Sequence, residues 1–429
     1  MKLAITSDTH FGDPMCTLVK NDHTGQPILG PKYLEFRERV GQDNDFLILV
    51  GDILDFSLAS YQEVYQAAKV FFVQIQKDRI ARSVVYVPGN HDFDIWHTVE
   101  HEVNVIYQIR NELPPRRFRM SVPAVFDLRT KPACPVFSLP GVTRRSPTAP
   151  FPYGGLFLDQ ITVPEEREIN FVFAYPNVYL VTDDESVLIT HGQYLEPYWS
   201  MTREWAQRIL GEDLSSDPIP TLHDLVALNF PLCQLACAGV GQAGPLTKVI
   251  QQIQQDVKKN RVDNVKKYLN RLDNALDEEV FRFKGISGPI KEGLSDLLCN
   301  QVKKQIISEL ERSRDTRYRT DFPSSEDEER RFWTFMKASV REIEQLNLEH
   351  GCNIPRPTAV IFGHTHRPIA WGSETHLAPA PPTIPEGRPI PLFNTGGWLD
   401  RDDGKGGIEF CGAEIISYAD GRFNSERVG

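Results

Sequence analysis

Five short apolar runs in this chain each end in side chains able to bind a cation, and that recurrence limits the fold more than any other feature. Leu3 to Thr6 leads to Ser7-Asp8 and then His10. Phe46 to Val50 leads to Gly51-Asp52 and then Asp55. Val84 to Val87 passes through Pro88-Gly89 to Asn90-His91-Asp92, Ser186 to Thr190 ends in His191-Gly192, and Thr358 to Phe362 ends in Gly363-His364-Thr365-His366. An unbroken apolar run of this length reads as a strand covered on both faces. Open α/β sheets bind their ligands in the crevice at the carboxyl ends of such strands. The fold class is therefore α/β, with five strand tips converging on one place.

Taken singly, each tip has an ordinary explanation. A lone Gly-Asp is commonly a helix N-cap, and Asp-x-His is commonly a turn aspartate beside a surface histidine. Gly89-Asn90-His91-Asp92 is more specific, since average residue usage gives it roughly one chance in several hundred in a chain of this length. Five tips in succession outweigh five separate ordinary explanations. In extended backbone, residues i and i+2 point the same way. Asp8 with His10, and His364 with His366, are thus each expected to project to one side of extended chain. Carboxylate, imidazole and amide oxygen without thiolate suit manganese, iron or zinc. The donors suffice for two ions, which at roughly 3.5 to 4 Å can share a hydroxide and clamp a phosphate.

At 429 residues the chain exceeds one ordinary core. Helical periodicity dominates from about 197 to 350, with helices expected at Pro245 to Lys259, Val262 to Phe281, Lys291 to Arg312 and Glu326 to Leu348. Leu225 to Val240 reads as a buried helix. The expected organisation is a core whose first part spans 1–196, a helical insertion or lid at 197–350, and a second core part at 351–429. Within the core, Tyr33 to Val40, Ser60 to Ala81 and Asp94 to Leu113 read as helices, and Gly12 to Pro31 as loop. Val136 to Leu139, Val178 to Val181 and Ile408 to Tyr418 read as further strands.

A net charge of −11 disfavours a protein that grips a nucleic-acid backbone. No stretch approaches the roughly 20 apolar residues of a membrane span, and Lys2 leads straight into a strand in place of a signal peptide. Seven cysteines without a Cys-x-x-Cys pair fit packing roles in a reducing, cytoplasmic setting. Arg144-Arg145, Arg367 and Arg401 read either as phosphate contacts or as solvated or salt-bridged surface groups. Trp199 and Trp398 read either as packing or as stacking residues.

Taken in order, Asp8-x-His10, Gly51-Asp52-x-x-Asp55, Gly89-Asn90-His91-Asp92, His191-Gly192 and Gly363-His364-x-His366 resemble the motif set of the calcineurin-like metallophosphoesterases. The resemblance covers about 1–112, 186–192 and 358–418. It implies a four-layer α/β/β/α sandwich of two mixed sheets, interrupted here by the all-helical insertion. It also implies two divalent metal ions, manganese first, with iron or zinc as alternatives. Asp8, His10, Asp52 and His366 would hold one ion, and Asp52, Asn90, His191 and His364 the other. His91 would protonate or stabilise the leaving oxygen, with Asp55 orienting its ring and Asp92 supporting from behind. The implied reaction is hydrolysis of a phosphate ester or pyrophosphate by a metal-bridging hydroxide.

Within the superfamily, Asn90 to Asp94, Tyr179 leading to His191-Gly192, and Asn394 to Trp398 look most like the branch that includes UDP-2,3-diacylglucosamine pyrophosphatases. That likeness implies a phosphorylated small-molecule or lipid-linked substrate. Gln193 to Glu196 departs from the branch, which carries an acidic residue directly after His-Gly. The alternative reading is a non-catalytic scaffold whose helical insertion recruits a protein partner. A nuclease is disfavoured by the acidic balance and the lack of a basic or aromatic groove.

Overall fold

The run Phe46 to Val50 lies inside the strand Asn44–Val50, near the middle of a six-stranded mixed sheet. Its order is Arg422–Val428, Ala413–Ala419, Leu3–Thr6, Asn44–Val50, Ala81–Val87, Asn170–Phe173. The last four strands run parallel, and the two C-terminal ones are antiparallel to their neighbours. The computed structural model describes residues 1–129, 134–137, 169–183, 185–196, 200, 220–234, 237, 267, 323, 325–373, 377–378, 389–402 and 407–429. The chain divides into two compact units, Met1–Gln242 with Arg317–Gly429, and Ala243–Thr316. Both large sheets and all the helices named here belong to the first.

A second mixed sheet has seven strands in the order Leu377–Ala378, Ile390–Asn394, Pro357–Phe362, Ser186–Thr190, Asn177–Val181, Ala124–Asp127, Cys134–Phe137. The sheets pack face to face. Leu3, Ile5, Ile48, Val50, Val85 and Val87 of the first meet Val178, Leu180, Val187, Ile189 and Ile361 of the second in one buried cluster. Their alternate neighbours, Ala4, Leu47, Leu49, Val84 and Tyr86, belong to a separate cluster with Val64, Phe71, Phe72 and Ile75 of the helix Tyr61–Lys77. That two-sided burial is why the strands are apolar throughout instead of alternating. Each fully buried branched side chain contributes about 1.5–3 kcal/mol of transfer free energy.

Each outer layer begins at a defined cap. Ser60 accepts from the backbone N–H of Glu63, and Glu63 reaches back to the backbone N–H of Ser60 at 2.9 Å, a reciprocal arrangement that starts Tyr61–Lys77. Ser325 caps the helix Glu326–His350, whose first turn carries Glu326, Asp327, Glu328 and Glu329 against the positive end of the helix dipole. This helix covers the second sheet. Its Ser339 accepts from Asn177 at 3.1 Å, and its Glu342 accepts from the Tyr179 hydroxyl at 2.7 Å. Helix, sheet, sheet and helix thus make a four-layer sandwich.

Several expectations change in detail. Asp94 to Leu113 is not one helix: Phe93–His101 passes through a π-turn at Glu102–Ile106 into the single turn Tyr107–Arg110. The buried Asn104 sits in that π-turn and donates to Glu100 at 2.8 Å. Gly12 to Pro31 is not all loop, since Val19–Asn21 and Pro27–Leu29 form a hairpin around Asp22, whose carboxylate accepts from the backbone of Thr24 and Gln26. Ile408 to Tyr418 is two strands, Ile408–Phe410 and Ala413–Ala419, broken at Gly412 with φ of 91°. The apolar stretch from Leu225 begins earlier, as the helix Leu222–Gln234. The expected helices at Pro245 to Lys259, Val262 to Phe281 and Lys291 to Arg312 lie outside the described residues, Lys267 excepted, as do Arg144, Arg145 and Trp199.

Among the described residues no helix is long and apolar enough to cross a membrane. Cys16, Cys233 and Cys237 are buried free thiols, Cys352 is a half-buried one, and Cys411 is buried. Trp398 is fully buried and donates its indole N–H to the Thr6 hydroxyl at 2.9 Å, which makes it a packing residue. Arg401 pairs with Glu409 of the neighbouring strand.

Candidate metal centre

The strand tips meet because their turns are tied to one another. The backbone N–H of Asp8 donates to Gly51 O at 3.0 Å, and that of His10 to Asp52 O at 2.9 Å. From the second sheet, Gly363 N donates to His191 O at 3.0 Å, and Thr395 N to Phe362 O at 3.0 Å. Asp8, His10, Asp52, His364 and His366 all hold positive φ, between 48° and 66°. The extended geometry expected for Asp8-x-His10 and His364-x-His366 is therefore replaced by left-handed turns, which non-glycine residues adopt only under local constraint.

Glycines leave room for the functional side chains. A Cβ on Gly51, itself at φ of 81°, would run into the His191 ring, and one on Gly363 would run into Ser7 and the Asp8 carboxylate. The turn Gly363–His366 is cradled from beneath by Asn394, whose side-chain amide donates to Gly363 O at 2.7 Å and to the Thr365 hydroxyl at 3.0 Å.

Two groups of ligand atoms result, each within 4.8 Å internally: Asp8, His10, Asp52 and His366, and Asp52, His191 and His364. Asp52 belongs to both. In the first, His366 Nε2 lies 3.1 Å from Asp8 Oδ1, and His10 Nε2 lies 3.1 Å from His366 Nε2 and 3.7 Å from Asp52 Oδ2. In the second, His191 Nε2 lies 3.3 Å from Asp52 Oδ2 and 3.2 Å from Asn90 Oδ1. All these residues are buried.

The histidine tautomers suit cations. His191 Nδ1 faces the Val50 carbonyl at 2.8 Å, an atom that only accepts, so Nδ1 carries the proton and the Nε2 lone pair points at Asp52 and Asn90. His10 Nδ1 likewise donates to Asp55 Oδ2 at 2.9 Å, which turns its Nε2 inward. The Nε2 lone pairs of His10 and His191 thus converge with the oxygens of Asp52 and Asn90, as a cation site requires. Without a cation, protons take that place. Burial by itself would lower His191, but the Asp52 carboxylate overrides it and raises the group to about 10. Burial opposes ionisation of Asp8 and Asp52, yet His366 lowers Asp8 and His191 lowers Asp52 well below the ordinary range.

A third group joins His10, Asp55 and His91. The Asp55 carboxylate takes His10 Nδ1–H on one oxygen and faces His91 Nδ1 at 3.0 Å with the other, which also accepts from the Ser57 hydroxyl at 2.7 Å. Burial works against its ionisation, but the facing His91 and the bonds from both rings hold Asp55 below the ordinary range. His91 is the more open ring: its side chain is 17% exposed, against 0% for Asp55. Its backbone N–H donates to Asp52 Oδ1 at 2.8 Å.

Sequence reasoning placed Asp55 beside His91 only, and its second contact with His10 emerges from the fold. Asp92 braces the centre from behind, accepting from Gly89 N at 2.6 Å, Ile53 N at 2.9 Å and the Tyr86 hydroxyl at 2.5 Å. Glu196 was not anticipated at all. It lies 3.0 Å from His364 Nε2, at the end of the short 3₁₀ turn Gln193–Leu195.

The calcineurin-like phosphoesterase family model matches residues 1–226, more than half of the chain, and the protein belongs to that family. The match ends before His364 and His366. These reach the centre because Pro357–Phe362 pairs in parallel with Ser186–Thr190, the strand that delivers His191. No curated protein matches the chain. The family and the buried histidine–aspartate cluster are together compatible with a metal-dependent phosphoesterase.

Proposed function

We propose that the protein hydrolyses a phosphate ester or pyrophosphate at a dinuclear metal centre. Asp8, His10, Asp52 and His366 hold one ion, and Asp52, Asn90, His191 and His364 hold the other. The observation that carries the reading is Asp52, whose carboxylate belongs to both ligand groups. When bound, two divalent cations, manganese in the first instance, supply Lewis acidity that neutralises phosphate charge and makes water a competent nucleophile near neutral pH.

The remaining roles fall to the chain itself. His91, at the exposed edge of the cluster and oriented by Asp55 and Ser57, donates a proton to the leaving oxygen. Asp55 fixes two rings at once and so couples the proton donor to the ligand His10. Asp92 holds the Asp52 turn at its backbone. The likeness of Asn90 to Asp94 and of Asn394 to Trp398 to the UDP-2,3-diacylglucosamine pyrophosphatase branch supports a phosphorylated small-molecule or lipid-linked substrate, and the cysteine usage supports a reducing, cytoplasmic setting.

Purified protein loaded with manganese should hydrolyse bis-p-nitrophenyl phosphate or p-nitrophenyl phosphate. His91→Ala should lower kcat by about 10²–10⁴-fold with metal content retained. Wild-type protein that binds no stoichiometric metal would defeat the reading, and co-purification of a protein partner would then favour a scaffold.

A further inference from the structure

A ligating imidazole has two nitrogens, and the one that does not face the ion is normally held by an acceptor that fixes the tautomer. His10 has Asp55 for this purpose and His191 has the Val50 carbonyl. For His364 the acceptor at hand is Glu196, whose Oε2 lies 3.0 Å from Nε2. Glu196 is well placed to hold a ring still. It ends a turn whose residues Gln193, Tyr194 and Leu195 are buried, its own N–H donates to Gln193 O at 3.2 Å, and its side chain is only 15% exposed. It follows His191 by five positions, so one short segment supplies a ligand to the second group and a neighbour to another.

We infer that Glu196 is the positioning residue for His364: it accepts the Nε2 proton and so presents the Nδ1 lone pair to the ion shared with Asp52 and His191. The inference rests on the dinuclear reading above. It makes the histidines use opposite nitrogens, Nε2 for His10 and His191 and Nδ1 for His364. It also gives this chain a carboxylate within the 193–196 segment that acts through a ring and not on substrate.

Zinc titration of the full chain, followed by metal analysis, tests it. Wild type should bind two zinc ions. Glu196→Ala should keep one site and weaken the other by about 10–100-fold, and Glu196→Gln, whose amide oxygen still accepts a hydrogen bond, should recover most of that loss. Long-range nitrogen–proton NMR of zinc-loaded protein labelled at histidine should show His364 protonated at Nε2 in wild type and in Glu196→Gln. Thermal melts in chelator check that Glu196→Ala is folded. Two unchanged zinc sites in Glu196→Ala, or a loaded His364 protonated at Nδ1, would overturn the inference while leaving the dinuclear centre intact. A wild type with fewer than two sites overturns both.

Discussion

The two sheets furnish the centre in different ways. The first supplies Asp8, His10, Asp52, Asp55, Asn90 and His91 from three adjacent parallel strands, all early in the chain, with backbone hydrogen bonds tying turn to turn. The second supplies His191, His364 and His366 from two adjacent parallel strands separated by the whole 197–350 region. The first side is braced by buried carboxylates, Asp55 and Asp92, and the second by neutral groups, Asn394 and backbone carbonyls, together with Glu196. Neighbouring strand ends in a parallel sheet therefore bring ligands together whatever the length of chain between them.

The sharpest way to break this comparison is at the residue both sides share. Asp52→Ala should cost at least about a thousandfold in kcat/KM and release both ions, whereas His364→Ala should release one. Equal metal loss in the two variants would erase the distinction.

Next in size is the brace. Asp92→Ala strands the buried donors of Ile53, Gly89 and Tyr86 and should lower stability by about 3 kcal/mol, read from the urea midpoint. Asn394→Ala on the second side should cost about 1–2 kcal/mol. The reverse order would show that the second sheet, not the first, anchors the site.

The smallest effect concerns Glu100, on the helix that follows the first-sheet turn. Burial raises its carboxyl from the ordinary 4.5 to about 7. The folded state therefore holds a proton that the unfolded state releases, and stability falls as pH rises from about 4.5 to about 7 and stays lower above that. Glu100→Gln should flatten this slope and gain on the order of 1 kcal/mol at pH 8. Parallel stability–pH curves for the two proteins would rule it out.

Much of the centre was legible in the sequence because two-sided burial makes a central strand apolar and leaves its polar tip conspicuous. Asp52, His191 and the Gly89–Asp92 run stand out for that reason. The backbone at Asp8, His10, His364 and His366 was not legible: side chains alternate only along extended chain, while hydrogen bonds between turns, made only after folding, hold these residues left-handed. Glu196 carries no motif, and only the packing of its turn brings it to His364. The strands of the Val19–Leu29 hairpin are three residues each, too short for any periodicity to register.

The left-handed ligands carry one further consequence. Residues other than glycine sit in that conformation at a cost of roughly 1 kcal/mol or more apiece, and several buried carboxylates crowd the same small volume. At the proposed centre, cation binding would offset both burdens and so couple occupancy to folding. We expect the cellular abundance of this protein to track divalent-ion supply, with starved chains exposed to proteolysis before their catalytic capacity is ever called upon.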